Sequence, residues 1–462
     1  MNFASLNDER KEHPMGLAVW ALIAYIAVIV IWSVALKRGI GEAMVVGFLV
    51  VCAFGGGDFL RLVLVGMQAA FDQEIVFAAL AFTFIGFLLA STGVIDRQVD
   101  LLNSLLGRLR GGAGYVATVG SALFGAVAHS GSANAATMGS VAIPWMKRSN
   151  WPPHVAATLI AGNAGNGTVI PPSASFFILI GTATVAPYIS IDQLLLAMFA
   201  AAGWCILWRL IVVFYFVRKY KIGRVAAADI LPFAKSFRRG WTSLLVFLGI
   251  IIPVVVTLGP TGEALTGVLG ADVMDAISII VWIPVLLGLF AAALGWRGLP
   301  KSGREWYGFV AKTAPRYRDI GATLVFAFAG GAVLTELGLA EQLSSVLNGL
   351  NASPVVMSVI VAVMVVLVAG PLSSTATIAT IGGIGFSVLV ASGVDPVLAA
   401  CVVLVAASTE GASPPGAAAI YIATGIAQVN PVKTFVPLIV LYVLPILLIA
   451  ALIGPGWLPV PH

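Results

Sequence analysis

The stretch from His129 to Pro144, HSGSANAATMGSVAIP, is rich in Ser, Thr, Asn, Ala and Gly, although bulky apolar residues flank it on both sides. A helix that faces lipid needs apolar side chains, because the bilayer offers polar groups no hydrogen-bond partner. Small residues also permit a tight turn and let a ligand approach the backbone. The stretch therefore predicts a segment that is shielded from lipid and departs from a regular spanning helix.

The composition around this stretch is that of a membrane protein. The chain has 462 residues, of which 60% are hydrophobic and 10% charged, and its mean hydropathy is +1.03. Soluble proteins carry about 25% charged residues. The net charge of +5 does not indicate nucleic acid, because the basic residues lie in short loops between apolar segments. Cys52, Cys205 and Cys401 lie within apolar segments and form no metal-binding or disulfide pattern.

The hydropathy pattern predicts an all-α integral membrane protein with about ten transmembrane helices and two re-entrant helical hairpins. The predicted spans are 15–36, 40–57, 74–95, 155–187, 191–217, 241–259, 273–295, 319–338, 396–424 and 433–454. The first of these is too long for the core of a signal peptide, so we interpret it as a retained span. Two further apolar regions, 113–146 and 354–392, contain small polar residues, and we interpret each as a hairpin that returns to the side it entered from.

The basic residues predict the orientation. With both termini on the periplasmic side, 21 of the 25 Lys and Arg residues lie in the cytoplasm, as the positive-inside rule expects. Reading either hairpin as a single crossing would destroy this bias. Arg209 lies within an apolar run, and we expect its side chain to extend to the inner interface.

The two halves of the chain repeat the same motifs. Ser132 precedes Pro171 by 39 residues and Ser374 precedes Pro414 by 40, so the two motifs have nearly the same spacing in each half. Ser132 and Ser374 are 242 residues apart and Pro171 and Pro414 are 243 residues apart, so the halves are offset by about 243 residues. Arg and Lys flank the first hairpin, whereas Glu and Asp flank the second. The repeats are therefore predicted to be inverted, which is typical of secondary transporters with a site near the membrane midplane.

This repeat divides the chain into six parts. We predict N-terminal scaffold helices over 1–92, a first repeat over 93–217, a basic cytoplasmic linker over 218–240, second scaffold helices over 241–337, a second repeat over 338–454 and a periplasmic tail over 455–462. The amphipathic stretches 96–110 and 339–350 are expected to lie along opposite interfaces.

The polar segments predict an ion and substrate site. Ser, Thr and Asn oxygens beside freed carbonyls suit a hard cation such as Na⁺, and helix N-termini favour an anion. The segments 162–172, GNAGNGTVIPP, and 408–415, STEGASPP, add an unwound stretch to each half. Close helix packing also uses small residues, but the recurrence of both segments in opposite orientations favours a site.

Two titratable residues leave alternatives open. Glu410 is the one acidic residue deep within a span, and it either binds a cation or a proton or is a neutral, hydrogen-bonded carboxyl group. His129 either caps the first hairpin turn or contributes a ligand.

At these motifs the sequence resembles the large membrane subunit of tripartite ATP-independent periplasmic (TRAP) transporters. The resemblance is strongest over 93–175, which includes GSALFGAVAHSGSANAATMGSVAIPWMKR and GTVIPPS, and returns over 393–437. It implies an elevator-type transporter of the bacterial inner membrane, in which a domain holding both hairpins slides against a scaffold. It also implies Na⁺-driven uptake of an organic acid such as a C4-dicarboxylate or sialic acid, a separate four-helix membrane subunit, a periplasmic substrate-binding protein and no cofactor other than the coupling ion.

The resemblance carries over to specific positions. The implied ion- and substrate-binding residues are Ser130, Gly131, Ser132, Asn134, Thr137, Asn163, Gly165, Asn166, Gly167, Ser373, Ser374, Thr375, Thr377, Thr409, Glu410, Gly411 and Ser413. Of these, the implied Na⁺ ligands are Ser132, Asn134, Gly165, Asn166, Ser374, Thr375 and Gly411. The chain departs from the family pattern at Ala133, where Ser is usual, at Ser413, where Thr is usual, and at Glu410, which lies unusually close to the proline pair.

Two other functions compete with this one. A stand-alone carrier on the same scaffold would use Na⁺, or H⁺ through Glu410, without a binding protein. An intramembrane serine hydrolase would use Ser130 or Ser132 with His129, but adjacent residues do not supply an oriented nucleophile and base. We therefore expect a transporter and not an enzyme.

Overall fold

The structure is a computed structural model that describes residues 16–36, 38–71, 80–81, 84–85, 88–89, 91–128, 131–224, 230–257, 259–270, 279–339, 342, 353–370, 372–414 and 417–462. These residues are about 81% helical and contain no β-strand. The predicted all-α class is confirmed.

The first half contains ten helices within the described residues. They are α1 (Leu17–Val30), α2 (Ile40–Ala53), α3 (Phe59–Phe71), α4 (Val94–Leu106), α5 (Gly112–Ala128), α6 (Gly131–Arg148), α7 (Pro153–Asn163), α8 (Asn166–Val169), α9 (Ala174–Ile180) and α10 (Ile191–Lys219).

Twelve more follow in the described part of the second half. They are α11 (Phe233–Gly240), α12 (Leu248–Thr257), α13 (Gly259–Leu269), α14 (Ile279–Gly295), α15 (Gly303–Glu336), α16 (Pro354–Ala369), α17 (Ser374–Thr377), α18 (Gly383–Ala391), α19 (Pro396–Ala407), α20 (Ala418–Ala427), α21 (Val432–Leu438) and α22 (Leu444–Ile453). A π-helical turn joins α17 to α18 and another joins α21 to α22, so each pair forms one longer helix.

Five helical stretches in the described residues are long and apolar enough to cross a membrane, judged by length and composition. They are Ile191–Lys219, Phe233–Thr257, Val281–Gly298, Ser374–Ala391 and Val432–Ile453. Helix α10 shows why these sequences form helices. Ser190 and Gln193 form a capping box at its start, and the basic side chains of Arg218 and Lys219 interact favourably with the partial negative charge at its C-terminus. The predicted total of ten spans stays a prediction.

The scaffold differs from the sequence prediction in two places. The predicted second span, 40–57, corresponds to α2, which ends at Ala53, but a 3₁₀ turn over Gly56–Asp58 then leads directly into α3, a helix that the sequence prediction lacked. The basic stretch 297–318 is not a loop throughout, since α15 begins at Gly303 and runs for 34 residues. Ser302 caps α15 by accepting a hydrogen bond from the backbone N–H of Glu305, and Lys and Arg are good helix formers. Charge therefore predicted which side this segment lies on but not its conformation.

The two repeats contain the same succession of elements. In the first, the paired helices α5 and α6 precede α7, which breaks after Asn163 and resumes at Asn166. In the second, α16 pairs with α17 and α18, and α19 breaks into a 3₁₀ turn over Ser408–Ala412 before α20. The arm helix expected over 96–110 is present as α4, whereas most of the second arm, 339–350, lies outside the described residues. The orientation of the repeats in the membrane stays a prediction.

Gly125 allows the first helical pair to approach the first break. A Cβ atom built there would lie 2.7 Å from the carbonyl oxygen of Asn166 and 2.8 Å from the backbone nitrogen of Gly167. Both are backbone atoms, which cannot move aside as the end of a side chain can. The close packing therefore requires glycine at this position.

We predict that Gly125→Ala lowers the thermal unfolding midpoint of the purified protein, because overpacking in a rigid environment costs about 1–3 kcal/mol. Gly203→Ala is the matched control, since Gly203 lies on the exposed side of α10 with no atom within 4 Å of an added Cβ. Scanning fluorimetry of both variants checks the prediction. A Gly125→Ala protein that melts with or above the Gly203→Ala protein would contradict it.

Candidate functional site

A cavity of about 200 Å³ lies where the two helical pairs meet the second break. Its lining residues are Ser132, Leu372, Ser373, Glu410, Gly411, Ala417, Ala418 and Ala419. Ser132 comes from the first turn of α6, Ser373 immediately precedes α17, and Glu410 belongs to the 3₁₀ turn after α19. Residues about 240 positions apart in the sequence thus share one cavity.

The carboxylate of Glu410 lies between the starts of α6 and α17. Its Oε2 accepts a hydrogen bond from the backbone N–H of Ser374. Its Oε1 would lie 2.5 Å from a Cβ atom built on Gly131, the first residue of α6. Helix N-termini carry partial positive charge, so both starts favour a negatively charged group at this place. The structure therefore places the one deep acidic residue where two helix N-termini converge.

Hydroxyl groups fix the start of α17. Ser373 caps the helix, since its side chain accepts a hydrogen bond from the backbone N–H of Ala376 at 3.2 Å. Thr377 donates back to the Ser373 carbonyl oxygen at 2.9 Å. Ser175 on α9 donates a hydrogen bond to the Ser374 hydroxyl at 3.2 Å, which connects the start of α17 to the first repeat.

A buried polar network holds the first helical pair against the end of α7. The Asn163 side chain donates to the Thr118 hydroxyl at 2.9 Å, and the Ser121 hydroxyl donates to the Asn163 carbonyl oxygen at 2.9 Å. The Asn134 side chain donates to the Ser121 carbonyl oxygen at 3.0 Å, which joins α6 to α5. Since buried polar groups need partners, these side chains fix the relative position of three helices.

The two breaks pack against each other through their backbones. A Cβ atom on Gly165 would overlap the carbonyl oxygen of Ser408, and a Cβ atom on Gly411 would lie 2.6 Å from the Cβ of Ala164. By the offset that relates Pro171 to Pro414, Gly165 corresponds to Ser408. Equivalent positions of the two repeats therefore meet, and small residues are required there because larger ones would separate the breaks.

Arg209 lies beside this crossing, and the expectation that it reaches the inner interface is wrong. Its side chain is fully buried, and Nε donates to the Gly162 carbonyl oxygen at 3.2 Å. Arg209 lies ten residues before Lys219, the last residue of α10, which is about 15 Å along the helix axis. Carbonyl oxygens at the end of α7 are nearer acceptors than the interface.

The predicted site residues fall into three groups. Those at or beside the cavity are Gly131, Ser132, Ser373, Ser374, Glu410 and Gly411. Those packed at or around the breaks are Asn134, Asn163, Gly165, Asn166, Gly167, Thr377, Thr409 and Ser413. Thr137 and Thr375 do not line the cavity, and Ser130 lies outside the described residues, as does His129.

Most residues in the second group already use their side chains for internal hydrogen bonds. The Thr409 and Ser413 hydroxyls, for example, donate to the carbonyl oxygens of Ala406 and Thr409. Asn166 differs, because both polar atoms of its side chain are buried and make no hydrogen bond within the described residues. The Oδ1 atom of Asn163 is likewise buried and makes no hydrogen bond within the described residues, so the amide oxygens of Asn163 and Asn166 are the candidates at the first break that retain capacity to bind a cation.

Sequence reasoning missed Thr118, Ser121 and Ser175 and misplaced Arg209. The three hydroxyl residues lie in apolar helices where Ser and Thr are common, so nothing in the sequence distinguished them. Arg209 carried a signal, because a charged residue within a span usually faces the protein interior.

Thiol labelling separates the cavity from the packed network. We predict that Ser132→Cys and Ser373→Cys react with a small water-soluble thiol reagent, whereas Asn134→Cys does not, because Asn134 is 1% exposed. The native cysteines Cys52, Cys205 and Cys401 are buried, so we expect little background labelling from them. Mass spectrometry of the intact protein measures the reaction. Equal labelling of all three variants would contradict the site geometry.

Comparison with known proteins bears on this site. Residues 17–455 match the family model described as the tripartite ATP-independent periplasmic transporter, DctM component. The C4-dicarboxylate TRAP transporter large permease protein DctM of Pseudomonas aeruginosa is 28% identical over 42% of this chain and 45% of its own. The isethionate TRAP transporter permease protein DctMQ of Oleidesulfovibrio alaskensis is 24% identical over 78% of this chain and 54% of its own. The aligned segments thus span about half the length of these two relatives.

Solved structures support the fold. The YdaH transporter of Alcanivorax borkumensis has a TM-score of 0.57 at 16% identity and covers 87% of this chain and 90% of its own. MtrF of Neisseria gonorrhoeae, described as illuminating a class of antimetabolite efflux pumps, has a TM-score of 0.62 at 12% identity over 88% of this chain and 86% of its own. Both are membrane transporters, which agrees with the apolar helices found here.

The family match covers nearly the whole chain and agrees with the motifs at both helical pairs. This chain is a multi-pass membrane protein that belongs to the DctM family, the large permease component of tripartite ATP-independent periplasmic transporters.

Proposed function

We propose that this chain is the permease subunit of a Na⁺-coupled, binding-protein-dependent transporter that imports an organic acid by an elevator mechanism. The observation that carries the proposal is the cavity of about 200 Å³, where Ser132, Ser373 and Glu410 of different repeats meet. Named relatives include permeases for C4-dicarboxylate, isethionate and sialic acid. A carboxylate or sulfonate is therefore the substrate group that we expect.

The helix starts around the cavity suit such an acid. The described residues that line the cavity include no Arg or Lys, so we expect an anion to be held by backbone N–H groups and hydroxyls. The N-termini of α6 and of the helix formed by α17 and α18 supply both. Glu410 already accepts the Ser374 N–H, so an incoming anion has to displace this carboxylate or neutralise it, because two carboxylates in one site do not readily ionise together.

The oxygen atoms at the breaks support Na⁺ as the coupling ion. In the part of the chain that the structure describes, no three His, Cys, Asp or Glu side chains lie close enough together to hold a metal ion. The available donors are carbonyls, hydroxyls and amides, together with the Glu410 carboxylate, and hard cations prefer such oxygen ligands. We place one Na⁺ near Ser132 and Asn166 and another near Ser374 and Gly411. The Asn134 amide, by contrast, is engaged within the helical pair.

An elevator requires an interface that slides. A second cavity, of about 160 Å³, lies between Tyr25 of α1 and Phe328 of α15 on one side and Thr380 and Gly383 of the second repeat on the other. Protein interiors are normally close-packed, so a void here favours relative movement of these elements. The scaffold is then formed by α1, α2, α3 and α15, which pack on one another.

The family supplies the remaining parts of the proposal. A small four-helix membrane subunit braces the scaffold, and a periplasmic binding protein delivers the acid. The chain lies in the bacterial inner membrane with both termini in the periplasm, which follows from the distribution of its Lys and Arg residues.

One observation favours a second candidate. Glu410 lies in the cavity rather than behind it, and intramembrane acids often carry protons in transporters. A stand-alone carrier coupled to H⁺ through Glu410 is therefore the alternative.

Uptake into proteoliposomes tests the proposal. We predict that the chain, reconstituted with a four-helix membrane subunit and a binding protein of this transporter type, accumulates radiolabelled succinate, sialic acid or isethionate only with an inward Na⁺ gradient. Ser132→Leu abolishes this uptake because the larger side chain fills the cavity. Ser140→Leu, two turns further along α6 on an exposed face, retains it.

The same assay separates the candidates. Uptake that a pH gradient alone drives, without binding protein, and that Glu410→Gln abolishes would support the alternative carrier. Na⁺-dependent uptake of equal rate in Ser132→Leu and the parent protein would overturn the assigned site.

A further inference from the structure

Arg209 is a buried charge at the depth of the membrane interior. It is 0% exposed and is among the largest fully buried side chains in the described residues. It lies about 15 Å along α10 from Lys219, the basic end of the helix, and thus well inside the apolar part of this spanning helix. A charge at this depth is costly unless it is matched by opposite charge or oriented dipoles.

Within the described residues, no carboxylate lies within 4.0 Å of this charge. The ion pairs within 4.0 Å among the described residues both involve Arg61, which is on α3. The neutral Cys205 and Tyr442 side chains lie beside the guanidinium group. Its Nε donates to Gly162 at 3.2 Å, whereas Nη1 and Nη2 have no hydrogen-bond partner of normal geometry in the described part of the chain.

The guanidinium group instead faces the carbonyl ends of both broken helices. Gly162 is in the last turn of α7, and Ser408 directly follows the last residue of α19. A Cβ atom on Gly165 would overlap the carbonyl oxygen of Ser408 on one side and lie 2.8 Å from Nη2 of Arg209 on the other. Helix C-termini carry partial negative charge and unpaired carbonyls, so the crossing of two such ends creates a cation-binding environment.

This cation occurs in one repeat only. The offset of 243 residues that relates the two halves places Leu452 at the position equivalent to Arg209. A single crossing of two helix ends needs only one central charge, and a second arginine there would repel the first.

We propose that Arg209 is a built-in cation, whose guanidinium group fills the position between the carbonyl ends of α7 and α19 that a bound cation would otherwise occupy. It is a positioning residue, because it does not line the cavity around Glu410. Its charge holds the two breaks together and so fixes the position of Glu410, which follows Ser408 by two residues. The inference rests on the site geometry of the proposed function but not on Na⁺ coupling.

Thermal unfolding of the full-length purified protein in choline chloride tests this role without Na⁺ or substrate. Arg209→Met keeps most of the side-chain volume and removes the charge, Arg209→Lys keeps a charge, and Arg209→Ala removes both. We expect the Met and Ala variants to melt well below the parent protein and the Lys variant to melt between them and the parent. Arg218→Ala, at the end of the same helix, is the control and melts with the parent.

Chemical rescue distinguishes a cation position from simple packing. Millimolar guanidinium chloride is expected to raise the midpoint of Arg209→Ala, which leaves an empty position, but not that of Arg209→Met, which fills it. A Met variant as stable as the parent, or an Ala variant that guanidinium does not rescue, would overturn the inference. If neither neutral variant folds, the Arg209→Lys variant decides the question. A Lys variant that folds and melts near the parent protein supports the role of the charge, whereas a Lys variant that does not fold contradicts the inference.

The outcome is independent of the proposed function. If the parent protein showed no Na⁺-dependent uptake, the proposal of Na⁺ coupling would be wrong. The comparison of unfolding midpoints in choline chloride would still test the role of Arg209. Conversely, normal transport in the parent together with a stable Arg209→Met variant would remove only the role of Arg209.

Discussion

Unpaired backbone at two helix breaks is the constraint on which the rest of this structure depends. A break within a spanning helix frees N–H and C=O groups that lipid cannot satisfy, so protein must surround them. Here the two breaks pack directly against each other, with Gly165 against Ser408. The hydroxyl and amide groups of Thr118, Ser121 and Asn163 then tie the first break to its helical pair. The small polar residues that interrupt the sequence are thus the residues that make the breaks possible.

The same constraint arranges the charges. The second helices of the two helical pairs present N-termini to one side of the crossing, the broken helices present C-termini to the other, and each end attracts the opposite charge. The Glu410 carboxylate lies at the starts of α6 and α17, whereas the Arg209 guanidinium lies at the ends of α7 and α19. Glu410 belongs to the short 3₁₀ turn Ser408–Ala412, which begins directly after the end of α19. Glu410 and Arg209 therefore lie on opposite sides of a single crossing, and the side that holds Glu410 opens into the cavity.

The features predicted from the sequence are those that local composition encodes. The two breaks, the paired helices and the cavity residues Ser132, Ser373 and Glu410 were found because small polar residues interrupt apolar runs at a regular offset. The features that were missed depend on contacts between distant segments. The position of Arg209 depends on the carbonyl of Gly162, 47 residues earlier, and the role of Asn134 within the helical pair depends on Ser121. The sequence prediction did not assign α3, which lies between two predicted spans, and it missed the start of α15 because the basic residues of 297–318 predicted a loop, although charge restricts membrane depth and not helix formation.

The account rests on two helical pairs that enter the membrane from opposite sides, and the most direct test is the side from which their outer ends react. Arg148→Cys at the end of α6 and Ala391→Cys at the end of α18 are both at exposed positions. With a membrane-impermeant thiol reagent on intact cells and on inverted vesicles, the account predicts that Arg148→Cys reacts only from the cytoplasmic side and Ala391→Cys only from the periplasmic side. Reaction of both cysteines from the same side would contradict the inverted arrangement.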